Sequence, residues 1–110
     1  MKVAIFSDIH GNREALISII KDIKKEGIKK IICLGDTIGI GPNPKECMDI
    51  IVDNNIKMVL GNHELYFIKG TQIDDEMGDG EIKHQNWIKN QITDRQKQYL
   101  EKCNITYEID

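Results

Sequence analysis

The chain has 110 residues, 40% hydrophobic and 30% charged, with a formal net charge of −3. These values suit one globular domain spanning residues 1–110. Charges of both signs are interspersed without a basic stripe, which argues against a nucleic-acid partner. No apolar run is long enough to cross a bilayer, so no membrane partner is expected.

The opening "MKVAIF" lacks the long apolar stretch and cleavage site of a signal peptide. Lys2 to Phe6 is short, apolar and β-branched, which predicts a strand buried on both faces. "SDIHGN", Ser7 to Asn12, then sets an aspartate and a histidine two residues apart at a strand end. Such groups are costly there unless something binds them. A metal ion, a substrate or a helix cap would serve. Asn12 can cap a helix whose apolar positions are Ala15, Leu16, Ile19, Ile20 and Ile23, with Gly27 closing it. Lys30 to Leu34 is a second buried strand, followed by the glycine-rich "GDTIGIGP". Asn43, Pro44 and Glu46 mark the start of a helix that buries Cys47, Ile50 and Ile51 and runs to about Asn54. Lys57 to Leu60 is a third strand, and "GNHE" follows it.

Leu65 to Gly80 reads as irregular. Asp74, Asp75, Glu76, Asp79 and Glu81 lack the twelve-residue calcium-loop spacing, so a solvated acidic loop is the better reading. Glu81 to Asn90 is helical around Trp87. Thr93 and Gln96 form a capping box opening a helix through about Cys103, with Tyr99 and Leu100 as apolar contacts. In "NITYEID", Ile105, Tyr107 and Ile109 alternate with polar residues, the pattern of a half-buried strand that needs a neighbour. Cys33, Cys47 and Cys103 are an odd, widely spaced set, which indicates free thiols in a reducing cytoplasm. Cys33 reads as a small core residue.

The order β-α-β-α-β predicts an α/β fold with a parallel core and right-handed crossovers. A polar cluster follows each strand: Asp8 and His10, then Asp36, then Asn62 and His63. Asp8, Asp36 and Asn62 lie 28 and 26 residues apart, one β-α unit each time. Parallel strands gather their carboxyl ends, where open sheets bind ligands. If the backbone is extended there, Asp8 and His10 point the same way. Each residue alone has an ordinary reading: a turn aspartate, an asparagine tolerating left-handed backbone, a surface histidine. Together they suggest a metal site of hard oxygens and imidazole, suited to manganese, iron or zinc better than copper. Asp36 can bridge two ions, and a pair of ions would clamp a phosphoryl group and make hydroxide from water. Gly35 and Gly61 allow sharp turns beside it. His63 could donate to a phosphoryl oxygen or protonate the leaving oxygen. A dinucleotide-binding turn and a P-loop are both missing from the strand ends.

"SDIHGN", "GDTIGIGPNPKEC" and "GNHE" resemble the first three motifs of the calcineurin-like metallophosphoesterase superfamily, in particular its small bacterial and archaeal phosphodiesterase branch. The likeness extends to the "HQNW…YL" region. It implies the N-terminal half of the family's αββα sandwich. It also implies that Asp8 and His10 hold a first ion, Asp36 bridges, Asn62 holds a second, and catalytic His63 contacts phosphate. The implied ions are divalent, manganese first, with iron, zinc or nickel as alternatives. The implied reaction is hydrolysis of a small phosphomonoester or phosphodiester by a dinuclear, metal-activated hydroxide.

Two departures matter. The aspartate and arginine that phosphoprotein phosphatases of this superfamily carry after the bridging aspartate are replaced here by Thr37 to Gly41, which speaks against a phosphoprotein substrate. The family's second-half histidines, ending in Gly-His-x-His, have no counterpart; His84 reads as a helix-surface or packing residue. The expectation is therefore an apparently truncated domain with weak metal occupancy and impaired hydrolysis, or a non-catalytic metal- or partner-binding module. Half a sandwich leaves an apolar sheet face open, so a homo-oligomer is expected, with the terminal strand pairing across subunits.

Overall fold

A computed structural model describes residues 2–69 and 79–108. In chain order it contains β1 (Val3–Phe6), α1 (Arg13–Lys25), β2 (Lys30–Cys33), α2 (Pro44–Asp53), β3 (Lys57–Met58), α3 (Asn62–Lys69), α4 (Asp79–Gln91) and α5 (Asp94–Lys102). The strands lie in the order β1-β2-β3. Both pairings are parallel, with Val3 opposite Lys30 and Ile32 opposite Lys57. This is the predicted β-α-β-α-β core.

Local chemistry explains most element boundaries. The Asn12 side chain accepts from the Ala15 N–H at 3.1 Å and caps α1. Gly27, at φ +71°, stops the helix in the left-handed conformation that glycine adopts without strain. Pro44 opens α2 as expected, but the Asn43 side chain makes no cap bond; its backbone N–H instead reaches the Gly11 carbonyl at 2.9 Å. The capping box at α5 is complete: Thr93 Oγ1 accepts from the Gln96 N–H, and Gln96 Oε1 accepts from the Thr93 N–H.

One apolar cluster joins Ile31, Cys33 and Met58 of the sheet to Leu16 and Ile20 of α1, Met48 and Ile51 of α2, Phe67 of α3, Ile88 of α4 and Leu100 of α5. Gln96 Nε2 donates to Asp49 Oδ1 at 2.6 Å and fastens α5 to α2.

Four expectations are corrected. First, β1 is not buried on both faces: Ala4 and Phe6 pack on the core, whereas Ile5, on the opposite face, is 55% exposed, because the described residues leave that face of β1 uncovered. Leu34, 48% exposed, is open as well, so the predicted exposed apolar surface is present. Second, β3 is two residues long, although the Val59 N–H still bonds the Cys33 carbonyl at 2.9 Å. Third, residues 65–69 are helical, as the last turns of α3, and α4 starts at Asp79. Asp74, Asp75 and Glu76 lie outside the described residues. Fourth, residues 104–108 form no strand; the Asn104 carbonyl accepts a single bond from the Leu60 N–H, and Ile105 is 67% exposed. Alternation alone does not make a strand without a neighbouring edge to pair with.

Candidate metal centre

Beyond the sheet, the loop after β1 is laced to the loop after β2. The Asp8 N–H bonds the Gly35 carbonyl at 3.1 Å, His10 the Asp36 carbonyl at 2.9 Å, and Gly11 the Thr37 carbonyl at 2.6 Å. Asp8, His10 and Asp36 all adopt left-handed backbone, at φ +61°, +51° and +56°. Non-glycine residues seldom do so, and the conformation concentrates at functional sites. The expectation that extended backbone aligns Asp8 with His10 is therefore replaced. Their alignment comes from a curled loop held by the neighbouring loop.

The side chains meet all the same. His10 Nε2 lies 3.2 Å from Asp8 Oδ1. Asp36 Oδ1 accepts from the His63 N–H at 3.1 Å. The His10 and His63 rings stand edge to face with centroids 5.2 Å apart. Asn62 is exposed in the first turn of α3. The Ser7 side chain, by hydrogen bonding, holds the Asp8 carboxyl below its ordinary value, with smaller contributions from His10 and Asp36 against the opposing effect of burial. Among the described residues, no group of three His, Cys, Asp or Glu side chains is set to hold an ion. Two imidazole nitrogens, His10 Nδ1 and His63 Nδ1, are buried there without a hydrogen-bond partner among the described residues.

Glu64 is the residue that sequence reasoning missed. It is fully buried, and its carboxylate accepts four backbone N–H bonds: Oε1 from Asp36 at 2.6 Å and Gly61 at 2.9 Å, Oε2 from Thr37 at 2.8 Å and Ile38 at 3.2 Å. This one side chain ties the loop after β2 to the start of α3. The signal was present in "GNHE". With Gly61 as cap, Glu64 is the third helical residue, where a glutamate reaches back to the cap N–H. Gly61 is required on separate grounds: a Cβ there would fall 2.5 Å from both the backbone nitrogen and Oδ1 of Asp36. Gly39 likewise leaves room for the His63 ring. Below the cluster, the Cys33 thiol lies 3.3 Å from Thr37 Oγ1, and burial pushes its pKa up. His84 lies on α4, half-buried and stacked on Trp87 at 5.4 Å, so it packs as expected.

Residues 1–105 match the calcineurin-like phosphoesterase family. The chain belongs to this family. Its members use divalent metal ions. A crystal structure of a metallophosphoesterase from Sphaerobacter thermophilus resembles it with a TM-score of 0.73 at 32% identity, over 94% of this chain and 41% of that one. The parallel α/β core thus corresponds to the N-terminal half of the metallophosphoesterase fold. An uncharacterized protein of Methanocaldococcus jannaschii is 40% identical over 106 residues, covering 96% of this chain and 43% of its own length. A symmetrical bis(5'-nucleosyl)-tetraphosphatase of Actinobacillus pleuropneumoniae is 28% identical over 83% of this chain and 39% of its own length. The chain spans about two fifths of the length of these curated relatives.

Proposed function

We propose that the chain carries the metal-binding half of a phosphoesterase centre, with Asp8, His10, Asp36 and Asn62 as ligands and His63 as the catalytic group facing phosphate. The observation that carries this reading is the left-handed loop pair. Three of the four proposed ligands adopt a disfavoured backbone conformation, and the loops bearing them are bonded to each other. The donors fit a divalent ion in kind, being carboxylate, amide oxygen and an imidazole with a buried, unpartnered nitrogen. Manganese is the first candidate, then iron, zinc or nickel. Two such ions, when bound, supply Lewis acidity to the phosphoryl group and a nucleophile from water.

The chain's own residues do the rest. Asp36, fixed by the His63 N–H and by Glu64 through its backbone, presents one carboxylate between the two loops. His63, braced against Gly39 and the His10 ring, can donate to a phosphoryl oxygen or to the departing ester oxygen. The net reaction breaks a P–O bond of a small phosphomonoester or phosphodiester and adds water across it.

By this count the first ion has three donors and the second only Asp36 and Asn62. Weak binding and slow turnover by this 110-residue chain are proposed on that account. A non-catalytic metal- or partner-binding module is the second reading, favoured by the open Ile5 and Leu34 surface. The same surface supports self-association, and a monodisperse monomer in light scattering would rule that out. A cytoplasmic site is proposed on the three free cysteines.

The deciding experiment is manganese-dependent hydrolysis of bis(p-nitrophenyl) phosphate, paired with calorimetric titration of manganese. Slow, metal-dependent turnover is expected. Asp36→Asn should lower it by at least about 100-fold, since losing even an outer partner of a metal site costs roughly 10–100-fold. Metal binding unaffected by Asp36→Asn would overturn the assignment.

A further inference from the structure

Beside the His10–Asp36–His63 cluster lies a cavity of about 460 Å³, lined by Asn62, His63, Tyr66, His84 and Gln85, with Ile40 at its rim. Its size falls within the range of small-molecule sites, roughly 300–1,000 Å³. His63 belongs to both places. A phosphoryl group at the cluster would therefore direct its organic substituent into this cavity.

The walls say what that substituent is. His63 and Tyr66 stand edge to face with centroids 5.9 Å apart, and His84 presents a third flat ring, itself stacked on Trp87 at an interplanar angle of 21°. Flat walls favour a flat guest. Gln85 is 3% exposed, yet its Oε1 has no hydrogen-bond partner among the described residues, and His84 Nε2 is likewise buried and unpartnered. A buried amide oxygen without a partner is uncommon and calls for a donor to complete it. At the rim, Ile40 holds φ +73°, a genuine outlier for a β-branched residue and of the kind that clusters at binding sites.

We propose that this cavity is a nucleobase subsite, and that Gln85 determines its specificity by pairing with a purine edge that sets an amino donor beside a ring acceptor. A glutamine amide matches that edge with two parallel hydrogen bonds. An alkyl group would leave Gln85 and His84 unsatisfied, and a bare sugar would leave the flat walls uncovered. The substrate class is then a nucleotide ester of the adenine type. This deepens the phosphoesterase reading and rests on it for the position of the phosphate.

The test uses ribosides without phosphate on metal-free protein, so it does not depend on the metal assignment. Trp87 is the only tryptophan, and it reports on the cavity through His84. Adenosine should change its emission saturably, whereas ribose should not. Adenosine should bind at least about fivefold more tightly than purine riboside, which lacks the amino group. Gln85→Leu should erase that difference, with calorimetry on the wild type as a check that needs no variant. An unsaturable response, equal affinity for the two ribosides, or discrimination surviving in Gln85→Leu would each overturn the proposal. Such a failure would leave manganese-dependent hydrolysis standing. Failed hydrolysis with a positive riboside result would instead strike the metal reading.

Discussion

Glu64 and Asp8 are carboxylates at the same end of the same sheet, and they live in opposite conditions. Glu64 is fully buried and accepts four backbone N–H bonds. The Asp8 side chain is 61% exposed, on a residue with left-handed backbone, with His10 and Ser7 as neighbours. One forms the floor of the site and the other its rim. A floor carboxylate contributes to folding because nothing else can satisfy the donors it holds. A rim carboxylate keeps lone pairs free for a ligand and is poorly paid by the fold itself. The contrast predicts that the two residues separate stability from metal binding.

The largest expected effect follows from removing the floor. Glu64→Ala strips the partner from the N–H groups of Asp36, Thr37, Ile38 and Gly61. Bonds to a charged acceptor are worth about 1.5–3 kcal/mol each, so the loss should be at least about 3 kcal/mol. Urea unfolding should show a collapse of the midpoint or no folded protein at all. A midpoint equal to that of the wild type would erase the distinction between floor and rim.

A smaller effect is expected at Gly61. Gly61→Ala drives a methyl against the Asp36 backbone, which cannot rotate away, and such overpacking costs about 1–3 kcal/mol. Because Asp36 Oδ1 is equally close, manganese affinity should fall together with the urea midpoint. A variant that lost stability and kept its affinity would show that Asp36 is not positioned by this contact.

Alkaline pH probes the core behind the floor. Burial pushes both Cys47 and Tyr99 up to about 12 from ordinary values of 9.0 and 10.0. The folded pKa values are raised, so the neutral forms are favoured by folding. That contribution is complete below about pH 9 and is lost as pH rises toward 12. Melting temperature should decline from pH 9 upward, with Cys47→Ala flattening the first part of the decline. A flat profile between pH 8 and 11 would contradict it.

What the chain discloses in advance depends on how local the cause is. The Asn12 cap, the Pro44 start and the Thr93–Gln96 box are written within four residues, and their positions in the structure match. The three strand-end clusters were legible because a β-α repeat of 28 and 26 residues brings them to one edge. The non-local facts were hidden. Ile5 looks like any buried strand residue until one knows which face of β1 is covered. The alternation at Ile105 and Tyr107 looks like a strand until a partner edge is sought. Glu64 reads as one more acidic residue, since three of its four bonds go to residues 26 to 28 positions away. The left-handed loop was invisible for a related reason: aspartate and histidine tolerate positive φ without announcing it, unlike glycine.

The smallest expected change in stability belongs to the rim. Asp8→Asn keeps the shape of the side chain, and asparagine accepts left-handed backbone at least as readily as aspartate. The lowered Asp8 pKa means that its charged form is favoured by folding above its ordinary value of 3.8 and that this contribution disappears as pH falls through the lower folded value. The group is exposed, and water screens it, so the urea midpoint at pH 7 should not move. Manganese affinity should nonetheless fall at least about tenfold if Asp8 is the ligand proposed, because a charged donor has become a neutral one. Paired with Glu64→Ala, this gives a double dissociation: one carboxylate is needed for the fold to form, the other for the ion to bind. If Asp8→Asn lowers the midpoint as well, the strained loop is sustained by its own charge pairing with His10, and the rim belongs to the fold after all.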